Sequence, residues 1–450
     1  MPSVSSMSCA RPRRAFHCLS RSVLAAPIVL VAALLALCGC SSDDGHRDYA
    51  RIRLLNVSPG YEALDLSVSK NGEDNDIVKF QAVGYEGLSD YSEVDSTAYD
   101  IKVKRSGVVG TLTTFVDEKQ ADNTHLTYVA FGALGNFGML KLSDDQGAAD
   151  SGKTKLKVLN ATTAGNLNVY LTDASVDLDD ATPQFASVAS RTSSTVVNLD
   201  SGTYRLRVVL VGDNTDVRLD IPNLVLQSKQ VASLILTETQ GGVLVNGLLL
   251  PQGGQLAKNH NTKARVRGAV GIASGSSVSA AIAGTTVLTG AGVGAISNKY
   301  LQVDAGAAAV TLKVDGVVIP RDTETLVPGA DYTMLFWSNA AGPQMSLMSD
   351  DNRISTSAKA RLRFLNGLSA LGQPTTMAVN LSPIFEGVPV GQASDYEEFD
   401  AGADYQIDVA DTGTNTNLLT KTELTFEGSG VYTLFVSGNS TVAGTLRKDH

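Results

Sequence analysis

Cysteine is confined to one corner of this 450-residue chain: Cys9, Cys18, Cys38 and Cys40 are the only four, all within its first forty positions. Everything from Ser41 onward therefore lacks a disulfide, a thiolate metal site and a cysteine nucleophile. An exported chain of this size without disulfides must be held by hydrophobic cores. Histidine is nearly as scarce, with only His46, His125, His260 and His450 beyond that segment. No two of them have the spacing of a ligand pair, and neither a His-Glu-x-x-His nor a Gly-x-Ser-x-Gly string occurs, so the usual metal-hydrolase and nucleophile-elbow chemistry is not written here. Aromatic residues make up 6% of the chain, with one tryptophan. That disfavours a surface paved with rings for stacking sugars. A sustained helical period is missing too, which leaves alternation as the dominant pattern.

Long apolar runs are absent with one exception, and that exception sits where a targeting segment belongs. Arg11, Arg13, Arg14 and Arg21 form a basic stretch without an acid, followed by the apolar run Val23 to Leu37. The run is about fifteen residues long, short of the roughly twenty that a spanning helix needs, and it contains Pro27. It ends in Leu37-Cys38-Gly39-Cys40, with Ser41-Ser42-Asp43-Asp44 after it. A leucine three places before a cysteine, with a small residue between, resembles the lipobox of bacterial lipoproteins. The resemblance implies a lipoprotein signal peptide over residues 1–39, cleavage between Gly39 and Cys40, and a lipid on the sulfur of Cys40. Residues 40–47 would then be a short lipidated tether. Ser41, rather than aspartate, after the cysteine implies the outer membrane. Loss of the four signal arginines takes the basic count from 36 to 32 against 46 acids, a net charge of about −14. An acidic surface of this kind argues against a nucleic-acid partner.

The remaining sequence repeats itself. Arg51-Ile52-Arg53-Leu54-Leu55-Asn56 returns as Lys155-Leu156-Lys157-Val158-Leu159-Asn160, as Arg265-Val266-Arg267-Gly268 and as Arg361-Leu362-Arg363-Phe364-Leu365-Asn366. Mid-repeat, Tyr91 to Asp95 is matched by Val196 to Asp200, Tyr300 to Asp304 and Tyr396 to Asp400. Each is followed by a turn and a period-2 strand such as Tyr99-Asp100-Ile101-Lys102-Val103, and the three together predict a hairpin. A closing apolar hairpin begins near Leu126, Val231, Tyr332 and Tyr432.

Strands at this density, read four times, predict an all-β fold: four tandem immunoglobulin-like antiparallel β-sandwich repeats. Their expected spans are 48–149, 150–256, 257–354 and 355–450. Junctions are short and polar, which predicts a semi-rigid rod. Leu55-Asn56-Val57-Ser58-Pro59, then Leu64-Asp65-Leu66-Ser67-Val68, with the later aspartate, glycine turn and Tyr-x-apolar-x-Val strand, resembles a family of bacterial surface domains catalogued as domain of unknown function number 4397. The family's usual opening histidine is Asn56 here, and Val270 in the third repeat departs further. The resemblance spans essentially the whole chain after the tether and implies fold and surface location, with no activity attached.

Candidate binding residues are few. Alternation puts Arg51 and Arg53, Lys155 and Lys157, Arg265 and Arg267, and Arg361 and Arg363 on the face opposite the core. Two readings follow: a solvated, edge-protecting face, or a ladder of basic stripes for an anionic partner. Acidic clusters at Asp173, Asp177, Asp179 and Asp180, and the pairs Asp144-Asp145 and Asp350-Asp351, lack the spacing of a calcium loop and read as solvated turns. Gly147 to Thr154 has the letters of a phosphate loop but runs into a strand, and Gly290 to Ala295 is followed by no helix, so both read as plain loops. Trp337, Tyr91 and Tyr396 read as core positions. No cofactor is implied. The expected function is that of a membrane-anchored, non-enzymatic envelope lipoprotein for binding, adhesion or structure, with envelope protein or glycan as partner; the alternative is a small-ligand or carbohydrate-binding lipoprotein.

Overall fold

The opening strand of each repeat is rich in β-branched and aliphatic residues with no proline, and it takes a central place in a sheet. The computed structural model describes residues 48–450 except 71, 72, 74, 240, 273, 274, 356, 357, 439 and 440. The signal segment, His46 and the tether with Gly39 and Cys40 lie outside the described residues. Among the described residues there is no helix, and none that is long and apolar enough to cross a membrane.

Each repeat is a two-layer sandwich with the same plan. The opening strands are Tyr49–Asn56, Lys153–Ala161, Lys263–Val270 and Lys359–Gly367. Each pairs in parallel with a closing strand, respectively His125–Phe131, Gln230–Glu238, Asp331–Asn339 and Val431–Gly438. Each closing strand then turns back antiparallel into the last strand of its repeat, as the sequence predicts. The second layer is a four-stranded antiparallel sheet, in repeat 1 Ile77–Gly84, Ala63–Lys70, Ala98–Arg105 and Thr111–Lys119 in that spatial order. Antiparallel pairing thus dominates, with one parallel pair per repeat where the chain returns to the first sheet after building the second.

The mid-repeat hairpin expected from the sequence is not one. Ser92–Asp95 pairs with the opening strand of the first sheet, whereas Ala98–Arg105 pairs within the second. The turn carries the chain across the core. Val94 and Tyr99, both buried, then enter that core from opposite layers. The same crossing follows Asp200, Asp304 and Asp400. Alternation, turn and alternation look alike whether the turn reverses a strand in one sheet or passes it to the other.

Inside each sandwich is one apolar cluster, built in repeat 1 around Ile52, Leu54, Leu66, Ile101 and Tyr128. Two further clusters lie between sandwiches. Leu55, Val129 and Phe131 of repeat 1 pack on Leu159, Ile235 and Leu248 of repeat 2. Ala269 and Leu335 of repeat 3 pack on Leu365 and Phe435 of repeat 4. The first sheets of repeats 1 and 2 therefore face each other, and so do those of repeats 3 and 4. The expected rod of single sandwiches is replaced by two face-to-face pairs, because both faces of each first sheet are apolar near the strand's end. The turn end of the first pair meets the second: Thr239 donates to the Gly329 carbonyl at 2.8 Å, and the Asn352 amide donates to Gly241 at 3.0 Å.

Candidate functional site

The basic residues at the start of each repeat do not form a solvated face. Arg53, Arg265, Arg267 and Arg363 are all buried, Arg363 to 1% exposure. Burying a guanidinium is costly unless it is paired and fully hydrogen-bonded, and the fold supplies those partners from recurring positions. In repeat 3, Arg267 Nε donates to Thr333 Oγ1 at 2.9 Å, and its guanidinium lies 4.6 Å from the centre of the Tyr300 ring. Thr333 and Tyr300 hydroxyls each donate to Asp350 Oδ2 at 2.6 Å. In repeat 4, Arg363 Nε donates to Thr433 Oγ1 at 3.1 Å and stacks 5.0 Å over Tyr396, while Thr433 donates to Asp449. Repeat 1 has the same set in Arg53, Thr127, Asp144 and Tyr91.

Strand register shows why the set recurs. Thr127, Ser233, Thr333 and Thr433 lie opposite the second basic residue of their opening strands. Asp144, Gln252, Asp350 and Asp449 occupy the matching place on the last strand or just past it. Repeat 2 departs at every position at once, with Lys157, Ser233, Val196 and Gln252. The four residues thus vary as a unit.

In the second pair the arginines exchange carboxylates. Arg267 reaches Asp449 of repeat 4 with both Nη atoms, at 3.0 Å for Nη2, and Arg363 Nη2 reaches Asp350 of repeat 3 at 2.5 Å. Burial pushes the Asp350 carboxyl up, but the charges of Arg363 and Arg267 outweigh it and hold it below the ordinary carboxylate range. In the first pair Arg53 turns to its own Asp144 at 3.3 Å and to the Gly254 carbonyl of repeat 2 at 3.2 Å. Lys157, half-buried opposite, is pushed down by burial, with Asp144 opposing.

The first basic residue of each strand is more varied. Arg265 forms a two-point pair with Asp331 at 2.7 and 2.5 Å. Arg361 meets Asp351 at 3.0 Å, and Arg51 meets Glu93 at 3.0 Å nearer the surface. Lys155 donates to the Gly147 carbonyl at 2.8 Å. Of the acidic pairs expected to be solvated, Asp144 and Asp350 are instead buried counter-ions. Asp173, Asp177, Asp179 and Asp180 are exposed, and among the described residues no three His, Cys, Asp or Glu side chains are grouped to hold a metal ion. His125 lies 2.9 Å from Asp145, and His260 lies 2.8 Å from Glu86. Trp337 is partly buried at the edge of the second pair and donates to Ser346.

Sequence reasoning missed the open space beside this layer. A cleft of about 570 Å³ is walled by Asp213 and Thr215 to Val217 of repeat 2, by Arg265, Arg267 and Ser297 to Gln302 of repeat 3, and by Arg447 to Asp449 of repeat 4. It exists only because three repeats converge, so no local motif announces it. Lys299 spans part of its mouth, 3.0 Å from Asp213 Oδ2 and from Thr215 Oγ1.

Among solved structures, the chain is similar to the carbohydrate-binding module CBMbc (family CBM26) of Eubacterium rectale Amy13K, crystallised with maltoheptaose. That likeness has 13% identity and a TM-score of 0.14, over 42% of this chain and 92% of the other. A second is a "putative cell adhesion protein" from Bacteroides uniformis ATCC 8492, with 12% identity and a TM-score of 0.18, over 44% of this chain and 99% of the other. Scores this low say nothing of what this chain binds. No curated protein matches it. The family described as Domain of unknown function (DUF4397) matches residues 50–170, 264–373 and 368–449. Those segments cover more than half of the sequence and fall on the repeated sandwiches, so the chain belongs to the DUF4397 family.

Proposed function

We propose that this protein is a non-enzymatic binding or adhesion scaffold of the cell envelope, held to the outer membrane by a lipid on Cys40. The observation that carries the binding reading is where the ionisable groups are spent. Arg267, Arg363, Asp350 and Asp449 close on one another inside the second pair. Groups closed in this way lock sheets together and leave the loops at the ends to meet partners. A rigid body presenting several loop clusters suits multipoint contact, where weak interactions add through effective concentration. The anchor rests on Leu37-Cys38-Gly39-Cys40, since each buried methylene of an acyl chain contributes about 0.8 kcal/mol and more than one chain is needed for firm attachment. A small-ligand or carbohydrate-binding role is the second reading, favoured by the cleft between repeats 2, 3 and 4.

Two measurements test this. Cells fed an alkyne fatty acid label the wild-type protein, and Cys40→Ala loses the label and leaves the membrane fraction; persistent labelling overturns the anchor. Immobilised residues 41–450 are then exposed to envelope glycan and envelope protein fractions separately. Saturable retention of one fraction supports the scaffold reading, and retention of neither overturns it.

A further inference from the structure

The cleft beside the arginine layer contains one cation without a partner among the described residues. Among the described residues, four arginines have a buried Nε–H without an acceptor: Arg207, Arg218, Arg321 and Arg447. The first three place other guanidinium nitrogens on protein oxygens, at Val176, Asp216 and Pro343. Arg447 alone of the four has no hydrogen-bond or ion-pair partner for its guanidinium among the described residues, and it lines the cleft. A guanidinium carries four further N–H donors on its two Nη atoms, and with no partner for them among the described residues they are what an oxygen in the cleft can pair.

The rest of the wall narrows the ligand. Asp213 and Asp216 line the cleft with partly exposed carboxylates, and each already faces a cation, Lys299 and Arg218 respectively, while the Asp449 carboxylate is fully buried against Arg267 and Thr433. The remaining lone pairs of Asp213 and Asp216 accept hydrogen bonds from hydroxyls. Thr215, Ser297 and Asn298 add neutral polar atoms. The only aromatic ring on the wall, Tyr300, is covered by Arg265 and Arg267, which leaves no platform for an apolar face. A guanidinium fork matches a carboxylate or a phosphate; the other cations of the wall already face carboxylates, so the one unpaired charge of Arg447 balances a monoanion and only half of a dianion. A volume of about 570 Å³ falls in the usual range of small-molecule sites.

We propose that this cleft binds a sugar acid, a polyol carrying a single carboxylate, with Arg447 pairing the carboxylate and Asp213, Asp216 and Asn298 taking its hydroxyls. The inference rests on the binding reading and is independent of the lipid anchor. It is tested by titration calorimetry of the whole chain after the tether with three probes: D-glucuronate, D-glucose and inorganic phosphate. Glucuronate binds and glucose does not. Arg447→Gln weakens glucuronate about ten- to a hundredfold, the range expected for losing hydrogen bonds to a charged group, and Arg447→Lys recovers part of it. Asn298→Asp, an exposed change that leaves folding alone, adds a carboxylate with no cation of its own to the wall and weakens glucuronate as well. Equal binding of glucose, tighter binding of phosphate, no binding of glucuronate, or an unchanged affinity in both Arg447→Gln and Asn298→Asp overturns the proposal. None of those results bears on retention of envelope fractions, so the two readings fail separately.

Discussion

Arg267 and Asp449, 182 residues apart in the chain, meet in a buried two-point ion pair that joins repeat 3 to repeat 4. Its mirror, Arg363 with Asp350, joins repeat 4 back to repeat 3. Breaking one such pair leaves the other partner's charge stranded in the interior, at about 3–5 kcal/mol. Asp449→Asn and Arg363→Ala are therefore expected to lower the urea midpoint sharply. Lys359→Ala, which cuts the solvent-facing Lys359–Asp400 pair, leaves the midpoint where it was. Equal effects of buried and exposed cuts would show that the layer does not hold the pair together.

The arginine layer was half legible before the structure. Alternation correctly separated Arg53 from the core, and carried two residues further along the strand it puts Leu55 on the same face as Arg53. A face carrying Arg51, Arg53 and then Leu55, with Phe131 beside it on the closing strand, is not a solvated face. It is the rim and centre of an interface. That reading needed the neighbouring sandwich, because Leu55 packs on Leu159 and Leu248 from a different repeat. The counter-ions were harder still. Asp144, Asp350 and Asp449 stand at strand ends where aspartate ordinarily marks a solvated turn, and only the register shows that all three face an arginine. The cleft could not be read at all, since Asp213, Arg265, Tyr300 and Arg447, which wall it, come from three different repeats.

Backbone contact sets a second test of the pairing. A Cβ added at Gly271 would stand 2.4 Å from the Gly367 carbonyl oxygen and 2.7 Å from its Cα. Backbone cannot swing aside as a side chain can, so repeats 3 and 4 would have to part. Neither glycine has a positive φ, so the effect of Gly271→Ala is packing and not strain. Its expected cost is about 1–3 kcal/mol, read from denaturant unfolding, with the loss concentrated in the second pair by hydrogen exchange. An alanine accommodated without loss would show that the two strands are not held this closely.

Acid should unfold the protein in two stages. Burial lowers the His450 imidazole below its usual 6.5, with the Asn352 carbonyl opposing and Arg218 and Arg265 assisting. The unfolded chain then takes up a proton before the folded one, so stability is full above about pH 6.5 and begins to fall below it. For Asp351, burial works upward, but Arg353 and Arg361 hold the carboxyl at about 2. Its contribution is present above the ordinary 3.8 and lost as pH falls toward 2. Unfolding free energy measured from pH 8 to 2 should show both declines. His450→Gln removes the upper one and Asp351→Asn reduces the lower, and a single decline near pH 4 in wild type would contradict the His450 assignment.

Repeat 2 offers the converse test, because it has lost the machinery that makes a buried cation tolerable. Lys157 stands where Arg53, Arg267 and Arg363 stand, yet Ser233, Val196 and Gln252 replace the threonine, tyrosine and aspartate around it. Burial pushes its ammonium pKa down, and only the charge of Asp144 works the other way. A cation desolvated without a full set of acceptors opposes folding at neutral pH. Lys157→Met keeps the length of the side chain and its contact with Leu250 and Val231 along the same small recess, and removes that opposition. The variant is expected to gain about 1 kcal/mol at pH 7, within the range seen when buried ions give way to apolar groups. The gain should shrink as pH rises toward 10.5, because the unfolded lysine holds its proton longer than the folded one and wild-type stability climbs through that window. A loss of stability in Lys157→Met would mean that Asp144 depends on Lys157 as well as on Arg53, and that the first pair is locked by two cations like the second.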